Sequence, residues 1–137
     1  MNRPRVLLVD DMPEIVRYCA HVLKEDYEVV GTAPNGLAAI RAAAAIQPDV
    51  IVLDISMPGL NGIDVARRLR LGGCQSAIVF FSADDAMSEL AMEAGGSAYV
   101  SKSLIDSDLR TAITEALAGR QYIALCQERT EPNAGRS

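Results

Sequence analysis

Tryptophan is absent from this chain, and only two Phe and four Tyr occur among 137 residues, although half of all residues are apolar. A core with so few rings has to be assembled from Val, Ile, Leu and Ala, a composition that suits buried parallel strands flanked by helices. No apolar run is long enough to span a bilayer, and the short run after Arg5 lacks the length of a secretory signal core, so no export or membrane anchoring is expected. Clusters of Lys and Arg are missing, and with a formal net charge of −5 the chain carries no electrostatic footprint for direct nucleic-acid binding. Cysteine is scarce too: Cys19, Cys74 and Cys126 are odd in number and widely spaced, form no CxxC pair, and have only His21 as a companion ligand. Neither a disulfide scaffold nor a zinc site is indicated, and a reducing, cytoplasmic setting is expected.

What is present is a strict alternation of short aliphatic runs with helical patterns. Arg5 to Val9 reads as a first strand, and Pro13 to Lys24 as a helix opened by proline, with Ile15, Cys19, Val22 and Leu23 on one face. Glu28 to Ala33 is a second strand, and Leu37 to Ile46 an alanine-rich helix after the Pro34-Asn35-Gly36 loop. Val50 to Leu53 is a third strand, followed by a turn-rich stretch from Ile55 to Gly62 and a helix to Arg70. Ala77 to Phe81, a short helix from Met87 to Ala94, Ala98 to Val100 and a last helix from Asp106 towards Gly119 complete the series.

This length fits one domain, 1–120, with 121–137 as a linker-like tail; Tyr122 to Leu125 adds at most a few packed residues. Such an alternation predicts an α/β fold with helices on both faces of a five-stranded parallel sheet, in the flavodoxin-like order 2-1-3-4-5.

Four of the aliphatic runs end in polar residues suited to phosphoryl transfer: Asp10 and Asp11, Asp54, Ser82, and Lys102. In the 2-1-3-4-5 order they meet at the carboxyl edge of the sheet, where open α/β folds place their sites. Three clustered carboxylates call for a cation, and Mg²⁺, which takes oxygen ligands and shares them with phosphate, suits them, with Asp11 and Asp54 as direct ligands. Asp54 is placed to be a nucleophile that forms an acyl phosphate, with Lys102 on one phosphoryl oxygen and the Ser82 hydroxyl on another. A Ser82 bond formed only with the phosphoryl group draws the following loop inward, and the ring of Tyr99 then turns from solvent into the space beneath it. Taken singly these residues have ordinary explanations: an acidic turn, a helix cap, a surface lysine, a packing tyrosine. Their joint placement is the signal.

From Arg5 to about Leu117 the chain resembles the receiver domain of two-component response regulators. The resemblance is carried by Asp10-Asp11, by Asp54 through Gly62 with its Ser56-Met57-Pro58-Gly59 turn, by Ser82-Ala83, by Tyr99 and by Lys102. It implies a phosphorylation-activated switch, not an enzyme with an external substrate. A sensor histidine kinase or phosphotransfer protein would donate the phosphoryl group to Asp54; Asp11, Asp54 and the Ser56 carbonyl would ligate Mg²⁺, with Asp10 helping through water. It further implies signalling to a protein target or a second copy through the face made by the fourth helix, the fifth strand and the fifth helix, or through the last helix. The stretch Gly119 to Ile123 is similar to receiver ends that lead into a helix-turn-helix effector, so both a stand-alone receiver and the receiver part of a DNA-binding regulator are compatible. Two positions depart from the family pattern: Ser103 stands where proline usually follows the lysine, and Ser82 replaces the commoner threonine. Two other readings remain: a pseudo-receiver that binds partners without being phosphorylated, and a Mg²⁺-dependent aspartyl phosphatase or phosphotransferase, against which Ser56 stands where a leaving-group acid is needed.

Overall fold

The structure, a computed structural model, describes residues 3–126. Strands β1 (Arg5–Val9), β2 (Glu28–Ala33), β3 (Val50–Asp54), β4 (Ala77–Ser82), β5 (Ala98–Ser101) and β6 (Tyr122–Ala124) form one sheet in the order β2-β1-β3-β4-β5-β6. All neighbours pair in parallel. The helices are α1 (Pro13–Leu23), α2 (Gly36–Ile46), α3 (Gly62–Leu71), α4 (Ser88–Glu93) and α5 (Ile105–Leu117). The expected order of the first five strands is observed; the expected count of five is corrected to six. Tyr122 to Ala124 continues the sheet beyond β5, and the Tyr122 hydroxyl donates to Asp108 on α5, so the added strand is tied to a helix as well as to a ladder. The expected mobile tail from Gln127 onward lies outside the described residues.

Alternation along the strands sorts the core into two halves. Leu7, Val9, Ile51, Leu53, Ile78, Phe80 and Tyr99 face α2, α3 and α4, where Ala39, Ala43, Val65, Ala66 and Ala91 allow close approach. Val6, Leu8, Val50, Val52, Val79, Phe81 and Val100 face α1 and α5, meeting Cys19, Leu23, Leu109 and Ile113. Every residue of β3 is buried, as a central strand covered on both faces requires. Among the described residues no helix is long and apolar enough to cross a membrane.

Local signals start the helices where the site needs them. Asn35 Oδ1 accepts the Ala38 amide and Asn61 Oδ1 the Asp64 amide, each at 2.9 Å, which caps α2 and α3. The fourth helix is shorter than expected, because Asp84 caps a 3₁₀ turn over Asp85–Met87 before Ser88 begins the α-helix.

Gly62 opens α3 directly beneath the end of β3, with its amide on the Ile55 carbonyl at 2.9 Å. A Cβ at Gly62 would collide with the Asp54 carbonyl oxygen and stand 2.9 Å from Ile55 Cα, backbone atoms that cannot step aside singly. Gly62→Ala is therefore expected to destabilise the fold by about 2–4 kcal/mol, measured by urea unfolding. A loss below about 1 kcal/mol would show that the turn after β3 yields more readily than this packing implies.

Candidate functional site

Four of the polar strand-end residues, Asp10, Asp11, Asp54 and Lys102, meet as the topology predicts. Asp10 follows β1, its amide donating to Ala33 O and its Oδ1 accepting the Met12 amide at 2.8 Å. Asp11, one residue on, is exposed. Asp54 ends β3, which is the direct neighbour of β1, and its Oδ1 accepts the Ser56 amide at 3.2 Å. Carboxylate oxygens of Asp10, Asp11 and Asp54 all lie within 4.8 Å of one another.

Lys102, just after β5, reaches back across the end of β4. Its Nζ stands 3.0 Å from Asp10 Oδ2 and 3.4 Å from Asp54 Oδ1, and 5.1 Å from the centre of the Phe81 ring. The side chain keeps 19% of its surface exposed. The Lys102–Ser103 peptide is trans. Ser103 in place of proline therefore leaves the lysine in position, and a cis bond is not needed to bring it there.

Two buried carboxylates with one cation leave a deficit of positive charge. Burial and the Asp10 carboxylate push Asp54 up from 3.8 to about 6, against the opposing pull of Lys102 and the Ser56 amide. Burial alone would lower the lysine, but Asp10 and Asp54 together hold it above its ordinary value. Asp54 Oδ2 is buried and has no hydrogen-bond partner, while Asp10 Oδ2 meets the ammonium at ion-pair distance without a well-directed hydrogen bond. An unpartnered buried carboxylate oxygen, beside an exposed acid and with oxygen donors only, fits a hard divalent cation such as Mg²⁺. Asp10, Asp11 and Asp54 are the side chains able to hold it. Ser56 is exposed immediately beyond β3, its amide already engaged by Asp54.

Ser82 ends β4 opposite Ser101 of β5, is fully buried, and accepts the Asp84 amide on its hydroxyl oxygen at 3.0 Å. Tyr99, expected to turn in from solvent, is already fully buried, its hydroxyl shared between Asp84 O at 3.2 Å and Asp85 Oδ1 at 2.9 Å. Burial and the Asp85 carboxylate raise its pKa. Asp85 was not legible as a partner of Tyr99, because an Asp-Asp pair before a helix carries only the signature of a cap. Cys19 lies under Asp10 on the α1 side, and burial together with that carboxylate pushes its thiol up to about 12. His21 is exposed, as its place off the helix stripe suggests.

The raised value at Asp54 has a definite sign for stability. Protonated Asp54 favours the folded state; that contribution is complete below about pH 3.8 and is lost as pH rises through about 6. Asp54→Asn is therefore expected to stabilise the metal-free protein by about 1–3 kcal/mol at pH 7.5, with the gain vanishing near pH 4. Thermal unfolding in chelator across that range measures it, and an equal gain at both ends would show that ionisation is not the cause.

Residues 6–114 match the response regulator receiver domain family. The chain is 32% identical over 123 residues to the nitrate/nitrite response regulator protein NarL of Escherichia coli, covering 87% of this chain and 57% of that one. It is 41% identical over 104 residues to a protein-glutamate methylesterase/protein-glutamine glutaminase of a Nocardioides species, covering 72% of this chain and 28% of that one. It thus spans little more than half of the first relative and under a third of the second. Among solved structures, a LuxR-family two-component response regulator from an Aurantimonas species superposes with a TM-score of 0.85 at 32% identity, over 90% of this chain and 91% of that one. The NarL signal receiver domain from Mycobacterium tuberculosis superposes with a TM-score of 0.83 at 29% identity, over 88% of this chain and all of that one. By sequence and by fold, the chain belongs to the receiver domains of two-component response regulators.

Proposed function

We propose that Asp54 is the phosphoacceptor of this receiver and that the chain works as a phosphorylation-driven switch. The observation that carries the reading is the position of Lys102, 3.0 Å from Asp10 and 3.4 Å from Asp54, beside an Asp54 oxygen that nothing else engages. An Asp54 carboxylate oxygen attacks phosphorus in line. The bond from phosphorus to the donor's imidazole nitrogen breaks and its electron pair stays on that nitrogen, so the imidazole leaves neutral when its other nitrogen carries the proton. The product is an acyl phosphate on Asp54, and later attack of water at phosphorus returns the carboxylate and releases inorganic phosphate.

Asp10, Asp11, Asp54 and the Ser56 carbonyl are the groups that would hold Mg²⁺. When bound, the ion supplies neutralisation of the charge shared by acceptor and phosphoryl oxygens. The chain's own contributions are distinct. Lys102 shifts from carboxylates to a phosphoryl oxygen. Ser82 donates its hydroxyl to another, while keeping the Asp84 amide on its lone pair, so the loop after β4 follows the hydroxyl. The donor is a sensor histidine kinase or phosphotransfer protein in the cytoplasm, and the recipient of the signal is a protein target or a second copy of the chain. Ser56, two residues after Asp54, offers no acid to protonate a leaving group, which favours a switch over a phosphatase or phosphotransferase. Lys102 held against the acids favours it over a pseudo-receiver.

With acetyl phosphate and Mg²⁺ the protein is expected to take up one phosphoryl group, read by intact mass, and Asp54→Asn to take up none. Lys102→Met is expected to slow labelling roughly 10²-fold, the scale on which one positioned donor acts. Continuous phosphate release well beyond one equivalent would instead indicate a phosphotransferase or phosphatase, and no labelling a pseudo-receiver.

A further inference from the structure

The sixth strand and the switch tyrosine share one carboxylate. Asp85 Oδ1 accepts the Tyr99 hydroxyl at 2.9 Å, and Asp85 Oδ2 accepts the backbone amide of Cys126 at 2.8 Å. A carboxylate is rigid, so fixing one oxygen on Tyr99 fixes where the other can be presented. On the far side, the same tyrosine hydroxyl also donates to Asp84 O, and the Asp84 amide rests on Ser82 Oγ at 3.0 Å. Hydrogen bonds and the Asp84 backbone therefore link the Ser82 hydroxyl, at the end of the strand next to β3, through the loop and Tyr99, to the backbone just past β6.

Packing supports the same connection. β6 pairs with β5 so that Ile123 stands opposite Tyr99. Leu125 packs against the core cluster that contains Tyr99, Phe80 and Ala91, on the face under the loop, while Tyr122 packs on the other face and donates to Asp108. The docked segment thus lies along the sheet edge past which the Tyr99 ring would have to swing to reach solvent. An outward Tyr99 would give up its bonds to Asp85 and Asp84 O and leave Asp85 less well held for Cys126, so inward Tyr99 and the docked strand stabilise each other.

We propose that Asp85 is a latch that makes docking of the C-terminal strand depend on phosphorylation of Asp54, the phosphorylated form holding the strand more tightly. The latch rests on the phosphoacceptor reading above, in which a phosphoryl group engages Ser82, draws in the loop and favours inward Tyr99. Coupling of this kind is reciprocal: a strand that docks better on the phosphorylated protein must in turn favour the phosphorylated state. β5 is then not a free edge in the signalling form, and the face offered to a partner is built from α4, β6 and α5, with Leu90, Ile123 and Leu117 exposed on it.

Hydrogen exchange of the β6 amides and Cys126 in the full chain tests the latch, before and after acetyl phosphate with Mg²⁺, with intact mass read on the same samples. The expected result is exchange about tenfold slower in the phosphorylated protein, because the Asp85 bonds to Tyr99 and Cys126 that already exist without phosphorylation open less often. In Asp85→Ala the unphosphorylated segment should exchange faster and the slowing on phosphorylation should disappear. Tyr99→Phe removes the hydroxyl that positions Asp85, so its unphosphorylated segment should exchange faster than in the parent chain and its slowing on phosphorylation should shrink; a merely structural Asp85 would leave that slowing intact. Phosphorylated protein with β6 exchange unchanged or faster, or full slowing retained in Asp85→Ala, overturns the latch alone. Absence of any mass increase overturns the phosphoacceptor reading and the latch with it.

Discussion

One ammonium between two buried carboxylates is the constraint on which this molecule turns. Asp10 and Asp54 are both almost fully buried, on adjacent parallel strands whose ends cannot separate without undoing the sheet. At an effective dielectric of about 20, unit charges about 3.5 Å apart interact by roughly 5 kcal/mol, so the acids repel each other strongly and each is attracted to Lys102 on a comparable scale. One cation cannot satisfy two acids, and burial together with that imbalance leaves Asp54 raised and one of its oxygens unpartnered. A site left with excess negative charge and an exposed third acid is disposed to take up a cation, and then an anionic group in that cation's company. The backbone serves this arrangement by ending β1, β3, β4 and β5 at one edge.

Most of this arrangement was legible in the sequence because it is written in the simplest code. Val50 to Leu53 is an unbroken aliphatic run, and such a run can only be a strand covered on both faces; Asp54 at its end then has to project at the sheet edge. The same logic places Asp10, Ser82 and Lys102. The sixth strand was not legible, because Tyr-Ile-Ala is too short to show a period and owes its conformation to the ladder offered by β5 and to Asp108 on α5. Asp85 escaped for a different reason: the local pattern accounts for Asp84 and Asp85 alike as caps, and only tertiary structure shows that Asp84 caps while Asp85 reaches Tyr99 and Cys126. Tyr99 was expected to act as a switch, and its inward setting here involves that unforeseen partner.

The serine after Lys102 illustrates how a departure from a family pattern can be absorbed. With a trans peptide, Lys102–Leu104 forms a 3₁₀ turn leading directly into α5, and Ser101 and Ser103 place their hydroxyls 3.3 Å apart. The lysine's reach is set by where β5 ends and by the Phe81 ring beneath it, not by the geometry of the following bond. The extension past α5 shifts the likeness in another way, since β6 takes the edge position that β5 would otherwise hold.

Cys19 gives the fold an internal tell-tale. Its thiol is sealed between α1 and the sheet, and its pKa of about 12 leaves almost no thiolate at neutral pH, so alkylating reagents have nothing to attack while α1 stays seated. Reaction at that sulfur reports the moment the helix lifts from the acidic cluster, which makes a lone core cysteine a clock for the breathing of the very wall that supports Asp10.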